Sequence, residues 1–221
     1  MRSFWKSALL IFQVVLNKKV ILIGYSGHAY VVADIALENQ YEIIGYTEKS
    51  RVQNNPFNLN YAGYEKETDF FENKEGVGFI IGIGDNFIRE KIYNLITSKN
   101  AQITTLISNT ASISQSARID NGTFVNRNVS INALAKIGKN VILNTACVIE
   151  HECEISNSVH IAPGVVLAGN VFVGERSFIG ANSVVKQGVK IGKDVIIGAG
   201  SVVISDVPDE KKIVGNPIRF I

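Results

Sequence analysis

Residues 131–167 read INALAKIGKNVILNTACVIEHECEISNSVHIAPGVVL, with Ile131, Ile137, Leu143, Ile149, Ile155, Ile161 and Leu167 standing six apart. The same step runs back through Val125, Ile119 and Ile113 to Ile107, and forward through Val173, Ile179, Val185, Ile191 and Ile197 to Val203. All seventeen positions are Ile, Leu or Val, with no insertion, although such residues fill only about a quarter to a third of an ordinary sequence. Four residues after each aliphatic stands a small or β-branched residue, as in Ala111, Thr123, Val141, Cys147, Cys153 and Ser201.

A period of six fits neither a 3.6-residue helix nor a plain hairpin array. It fits a short strand followed by a tight corner, three of which make a triangular coil of about eighteen residues that stacks on the next in parallel. The aliphatic points into the prism and the small residue packs beside it near the corner. Glycine and asparagine (Asn121, Asn126, Asn128, Asn132, Asn140 and Asn144) are the expected corner residues with positive φ.

Upstream the pattern changes. Lys19 to Gly24 reads as a buried parallel strand, Gly24-Tyr25-Ser26-Gly27-His28 as a turn, and Ala29 to Asn39 as a helix. Tyr41 to Tyr46 and Phe79 to Gly84 read as further strands, and a helix capped by Asn86 runs to Ser98. Strand, glycine turn, helix, strand is a βαβ unit, hence a Rossmann-like α/β domain. The turn is not a full GxGxxG fingerprint. Ser26 and Gly27 therefore read either as a tight turn or as a place where helix N–H groups meet a diphosphate. Residues 50–75 are polar and irregular, with room for one short strand. The expected division is an extension at 1–17, a Rossmann-like domain at 18–105 and a β-helix with a closing loop at 106–221.

Of 221 residues 46% are hydrophobic and 19% charged, and the net charge of +2 is interspersed, which argues against a nucleic-acid-binding surface. Cys147 and Cys153 share one repeat phase and read as small core residues of a reducing, cytoplasmic protein. The apolar run from Ala8 to Leu16 is too short to span a bilayer and no cleavage site follows it. It reads as an added amphipathic segment or an upstream extension from start-codon choice, with a peripheral membrane contact as the minor alternative.

Only three histidines exist: His28, His151 and His160. His151 lies two residues past an inward aliphatic, at a coil surface, followed by Glu152. An imidazole is a natural general base for an amine or hydroxyl attacking a thioester, and Glu152 can orient it. One coil of about eighteen residues on from 151 stands Gly169, whose N–H can serve an oxyanion. A solvated surface histidine is the plainer alternative. His160, just before an inward Ile161, can face a ligand, a neighbouring subunit or the core. No metal site is expected, since His28 belongs to the other domain.

Val141 to Thr145, Val148 to Cys153, Val159-His160 and Ala168 to Val171 resemble the sugar-nucleotide acetyltransferases of bacterial surface glycan pathways. That family includes the UDP-bacillosamine N-acetyltransferase and the sialic acid O-acetyltransferases. Lys19 to Ala36 resembles its N-terminal domain and Val214-Gly215-Asn216-Pro217 its final loop. The resemblance implies a left-handed β-helix, acetyl-CoA as cosubstrate and a homotrimer with active sites between adjacent β-helices. It implies His151 as base, Glu152 as its partner, Asn144 near the reacting sugar, and His160 and Gly169 near the thioester. It places Ala181 and Ala199 along the pantetheine groove, and Ser26, Gly27 and His28 in the nucleotide cradle. Glu48 stands where the family often has an acidic pair, and Gly84 to Asn86 are expected to close that pocket. N-acetylation of a nucleotide-linked amino sugar of UDP-4-amino type is the expected activity. The alternatives are O-acetylation of a sialic acid-type sugar and a non-catalytic nucleotide-binding scaffold.

Overall fold

The computed structural model describes residues 18–221, so the extension read over residues 1–17 lies outside the described residues. β1 (Lys18–Ile23), α1 (Gly27–Glu38), β2 (Tyr41–Thr47), β3 (Tyr61–Gly63), β4 (Gly78–Ile81), α2 (Asn86–Ser98) and β5 (Gln102–Ile103) come first. Their strands form one parallel sheet in the order β3-β2-β1-β4-β5. The run Val-Ile-Leu-Ile ending β1 is buried throughout because the strand is central and covered on both faces. The expected cap of α2 is corrected: Asp85, not Asn86, is the N-cap, and its carboxylate accepts from the Ile88 N–H at 2.9 Å. Asn86 is instead the first helical residue, its side chain drawn away toward the second half of the chain.

From β6 (Leu106–Ile107) to β22 (Val202–Val203) a two-residue strand recurs every six residues. As far as β19 (Val184–Val185), each pairs in parallel with the strand eighteen residues on, as Ile131 with Ile149 and Ile149 with Leu167. The strands make three faces of a prism, closed by the antiparallel pair β23 (Lys212–Val214) and β24 (Arg219–Phe220). Inward aliphatics from Val125 to Val203 are 2% exposed or less. Those of the first coil, Ile107, Ile113 and Ile119, are only partly buried because they have a coil on one side alone.

The corners differ from the expected pattern. Positive φ falls three residues after each inward aliphatic, at every sixth residue from Gly122 to Gly200, whatever the side chain: Leu134, Ala146, Glu152 and Arg176 included. Asn128 and Asn140 sit in that phase, whereas Asn121, Asn126, Asn132 and Asn144 do not. Left-handed backbone costs roughly 1–2 kcal/mol for a residue with a Cβ. The same N–H groups donate to the coil beneath, as Glu152 to the Ala133 carbonyl and Asn170 to that of His151. A hydrogen bond of about 1 kcal/mol per corner offsets much of the strain.

The outward residues define what each face does. On the first face Leu106, Phe124 and Ile142 are buried under α1. On the second, Val148, Val166, Val184 and Val202 point out, and Val184 is 42% exposed. On the third, Arg118, Lys136, Glu154, Phe172 and Lys190 stack in that order, a charged ladder interrupted by one exposed ring. Arg127 bonds Asp34 at 2.7 Å, tying α1 to a corner. Among the described residues no helix is long and apolar enough to cross a membrane.

Candidate active site

His151 lies at the corner between the second and third faces, in the turn after Val148–Ile149. Its Nδ1 is 3.1 Å from Glu152 Oε2, and both side chains are about half exposed. The ring rests on Gly169: a Cβ built there would lie 2.3 Å from His151 Cε1 and 2.4 Å from Nε2. The register is fixed by the Asn170 N–H donating to the His151 carbonyl at 2.8 Å. Residues 151 and 169 are thus vertical neighbours, but the absent side chain makes room for the imidazole itself rather than for a ligand. No acceptor among the described residues takes the Gly169 N–H.

Asn144 lies at the other edge of the second face, and Ala181 and Ala199 lie at that same corner on later coils. Asn126 donates to Asn144 Oδ1 at 2.9 Å, one coil apart. Asn144 Nδ2 stands 3.4 Å from His160 Nε2, and His160 Nδ1 stands 3.4 Å from the Gly84 carbonyl. A carbonyl only accepts, so the network assigns the proton to Nδ1 and the lone pair to Nε2. His28 crosses from α1 to meet this group, its ring centre 6.2 Å from that of His160 and edge-on to Phe124. Burial, with the nearby Arg89 charge, brings His28 down to about 4. Burial, then Arg89 and His28, bring His160 to about 3. Both rings are neutral at pH 7.

A crevice of ≈ 540 Å³ opens at the carboxyl ends of the sheet strands, lined by Gly24, Ser26, Glu48, Lys49, Glu65 and Gly84. Ser26 is the N-cap of α1 and makes no side-chain cap bond, which leaves first-turn N–H groups open to an anion. A Cβ at Gly27 would meet nothing within 4 Å. Glu48 accepts from the Tyr25 N–H at 2.8 Å, pinning the end of β2 to the turn.

The expected site residues therefore fall into three groups: His151, Glu152 and Gly169 at one corner; Asn144, His160, Ala181 and Ala199 along the next; and Ser26, Glu48 and Gly84 at the crevice. His28 joins the second group rather than the crevice. Asn86 leaves the crevice group: its amide is spent on the Arg176 and Ser177 carbonyls and on Arg89. Within one chain the first two groups are separated by the width of the second face. Sequence reasoning missed Glu65, buried in the crevice with its Oε2 accepting from Thr47 at 2.8 Å. It also missed Arg89, which packs behind the two histidines and whose only signal was its place one turn into α2.

A triangular coil with a histidine–carboxylate corner, set against an open parallel sheet with a strand-end crevice, defines a class: the hexapeptide-repeat acyltransferases carrying an added α/β domain. The family model "PglD N-terminal domain" matches residues 19–96, and "Bacterial transferase hexapeptide (six repeats)" matches residues 170–205. The acetyltransferase domain of PglB from Neisseria gonorrhoeae is 31% identical, with a TM-score of 0.87 over 93% of this chain and 100% of that one. It has also been determined with acetyl coenzyme A. PerB from Caulobacter crescentus, in complex with CoA and GDP-perosamine, is 32% identical, with a TM-score of 0.86 over 92% and 97%. WeeI from Acinetobacter baumannii, at 24% identity and TM-score 0.83 over 91% and 99%, shares the fold. No curated protein sequence matches the chain. The chain belongs to the PglD-type sugar N-acetyltransferases of the left-handed β-helix superfamily.

Proposed function

We propose that the protein transfers acetyl from acetyl-CoA to the amine of a nucleotide-linked amino sugar, as a cytoplasmic homotrimer whose sites form between neighbouring β-helices. Residues 18–105 hold the nucleotide and residues 106–221 the acetyl donor. The observation that carries this reading is the seat of the His151 imidazole on Gly169, a face-width from Asn144 and His160. Each corner offers half of a site. The outward valines of the second face supply an apolar strip on which a second copy can pack and bring one copy's His151 to the next copy's Asn144.

In that arrangement the diphosphate lies at the N-terminus of α1, by Ser26 and Gly27, and the sugar amine reaches the seam. His151 Nε2 takes the proton as the amine attacks the thioester carbon, while Glu152 steadies Nδ1–H and the developing positive charge. The Gly169 N–H meets the oxyanion. The carbon–sulfur bond then breaks, the proton held by His151 passes to the sulfur, and CoA leaves as the thiol. Binding both reactants in register supplies the remainder of the rate.

His151→Ala lowers kcat by a factor on the order of 10²–10⁴, measured as thiol release from acetyl-CoA with UDP-, GDP- and dTDP-linked amino sugars and with free sialic acid. Turnover near wild type in that variant ends the mechanism. Mixing tests the seam. In a ring of three, an equal mixture of His151→Ala and His160→Ala chains regains about a quarter of the intact sites. No recovery on remixing places each whole site within one chain.

A further inference from the structure

Arg89 is 2% exposed, and its guanidinium is satisfied without any side-chain carboxylate in hydrogen-bond contact. Nε donates to the Asn140 carbonyl at 3.0 Å, and Nη2 to those of Ser158 at 2.8 Å and Val159 at 3.3 Å. Nη1 donates to the carbonyls of Gly84 at 3.0 Å and Ile83 at 3.4 Å. The sixth acceptor is Asn86 Oδ1 at 2.9 Å, and Asn86 Nδ2 in turn donates to the Arg176 carbonyl at 2.7 Å. Asn140, Ser158 and Arg176 are the same corner position on three successive coils. One helix turn of α2 thus reads a ladder of coil carbonyls and, through Nη1, grips the loop that ends β4.

That loop carries the Gly84 carbonyl, the acceptor that orients the His160 ring. We propose that Arg89 is a positioning residue: by locking α2 to three coils and holding Gly84 in place, it sets the orientation and tautomer of His160 and the distance between the nucleotide crevice and the acetyl-transfer seam.

A lysine cannot replace it. An ammonium has three donors on a flexible stem, whereas the guanidinium fork reaches acceptors on both domains at once. The charge has a second effect. Burial draws Arg89 down to about 9, with Asp85 and Glu90 pulling the other way, so it stays positive at pH 7. It faces His28 from α1 and His160 from the β-helix, and it weighs against protonation of both. The other groups packed on His160 are uncharged: Asn144, Phe178 and the Gly84 carbonyl. The pair is therefore held neutral, and His151 is left as the exposed imidazole for proton transfer.

The kinetic side of this inference rests on the acetyl-transfer reading, whereas its spectroscopic side needs no turnover, so the two fail separately. The chain has three histidines, so ¹⁵N-histidine spectra of the intact protein hold three ring systems; His151→Ala and His28→Gln identify two, and His160 is the third. In the wild type His160 is the Nδ1–H tautomer and neither His28 nor His160 takes a proton between pH 8 and pH 5. A wild-type His160 in the Nε2–H form, or one titrating in the ordinary histidine range, overturns the proposal whether or not any variant folds. Arg89→Lys keeps both histidines neutral but raises KM for the nucleotide sugar and lowers kcat, together by roughly tenfold or more. Arg89→Gln adds an upward move of the two histidine titrations and a matching acid limb in the pH profile of kcat/KM. A folded Arg89→Gln protein with unchanged titrations, or a folded Arg89→Lys protein with kinetic constants within about twofold of wild type, makes Arg89 structural only.

Discussion

Replacing Gly169 by alanine adds a single methyl, and the geometry says where it lands. The new Cβ falls 2.3 Å from His151 Cε1 and 2.4 Å from Nε2, where an ordinary carbon contact needs about 3.5 Å or more. The ring must retreat by about 1 Å or swing off the corner. Nothing resists that swing, because the His151 side chain is 49% exposed and its one side-chain partner, Glu152, is equally free to move. The backbone has no objection either, since Gly169 is not among the residues with positive φ. The change therefore separates chemistry from folding. A displacement of about 1 Å in a catalytic group costs on the order of 10²-fold in rate, so Gly169→Ala lowers kcat by about 10–100-fold with KM for the nucleotide sugar little altered. A Gly→Ala change where the backbone permits it is neutral or stabilises by about 0.4–1 kcal/mol through the unfolded chain, so the melting temperature holds or rises slightly. The assay is thiol release at saturating substrates beside a thermal melt. A variant that melts like the wild type and keeps kcat within twofold shows that the seat of the imidazole on Gly169 is not its catalytic position.

Stability falls with acidity in a definite window. His28 and His160 have folded values of about 4 and about 3, below the ordinary 6.5. The unfolded chain thus binds protons that the folded chain refuses, and stability drops as pH falls from about 6.5 toward 4. At pH 5 the deficit is about 2 kcal/mol per histidine, or ~4 kcal/mol for the pair. Denaturant titrations at pH 7.5 and 5 read it, and a His28→Gln, His160→Gln double variant with the same pH slope as wild type contradicts it. Burial pushes Cys147 up to about 12 and raises Cys153 as well. Iodoacetamide at pH 7.5 accordingly leaves activity intact, and rapid loss with labelling of Cys147 refutes the sealed prism. Ile149→Ala, at a wholly buried position, costs about 2–5 kcal/mol by chemical denaturation, and a loss under about 1 kcal/mol speaks against an inward-facing ladder.

What the sequence carried was whatever repeats. Because one coil is eighteen residues, position 151 predicts position 169 and Asn126 predicts Asn144, with no coordinates needed. The corner phase was harder to read. Residues such as Leu134 and Arg176 disguise a left-handed position that the stacking hydrogen bond enforces regardless of side chain. Contacts between the halves were not legible at all. The family resemblance places His28 in the nucleotide cradle, yet α1 turns its ring onto the β-helix. Asn86 looked like a cap because of its residue type, while Asp85 took that role and Asn86 bonds carbonyls ninety residues away in the chain. Arg89, the most connected of these side chains, stands in no repeat and no motif.

The separation of the two half-sites follows from the shape of a prism. The corners of a triangular coil are turns with side chains splayed outward, so groups on two different corners stand a face-width apart within one chain. In the assembly we propose, a trough forms where two prisms meet edge to face, with the small residues Ala181 and Ala199 at the meeting corner. That proposal puts the base on the opposite wall from the groups that orient the substrate. That is where His151 stands relative to Asn144 and His160. A nucleotide domain gripping three coils of the second wall through Arg89 and Asn86 holds its cargo at a fixed height above that trough. On the proposed reading a rigid junction within each subunit serves the same end as a neighbour: the amine and the thioester arrive from different bodies and must meet to within a fraction of an ångström.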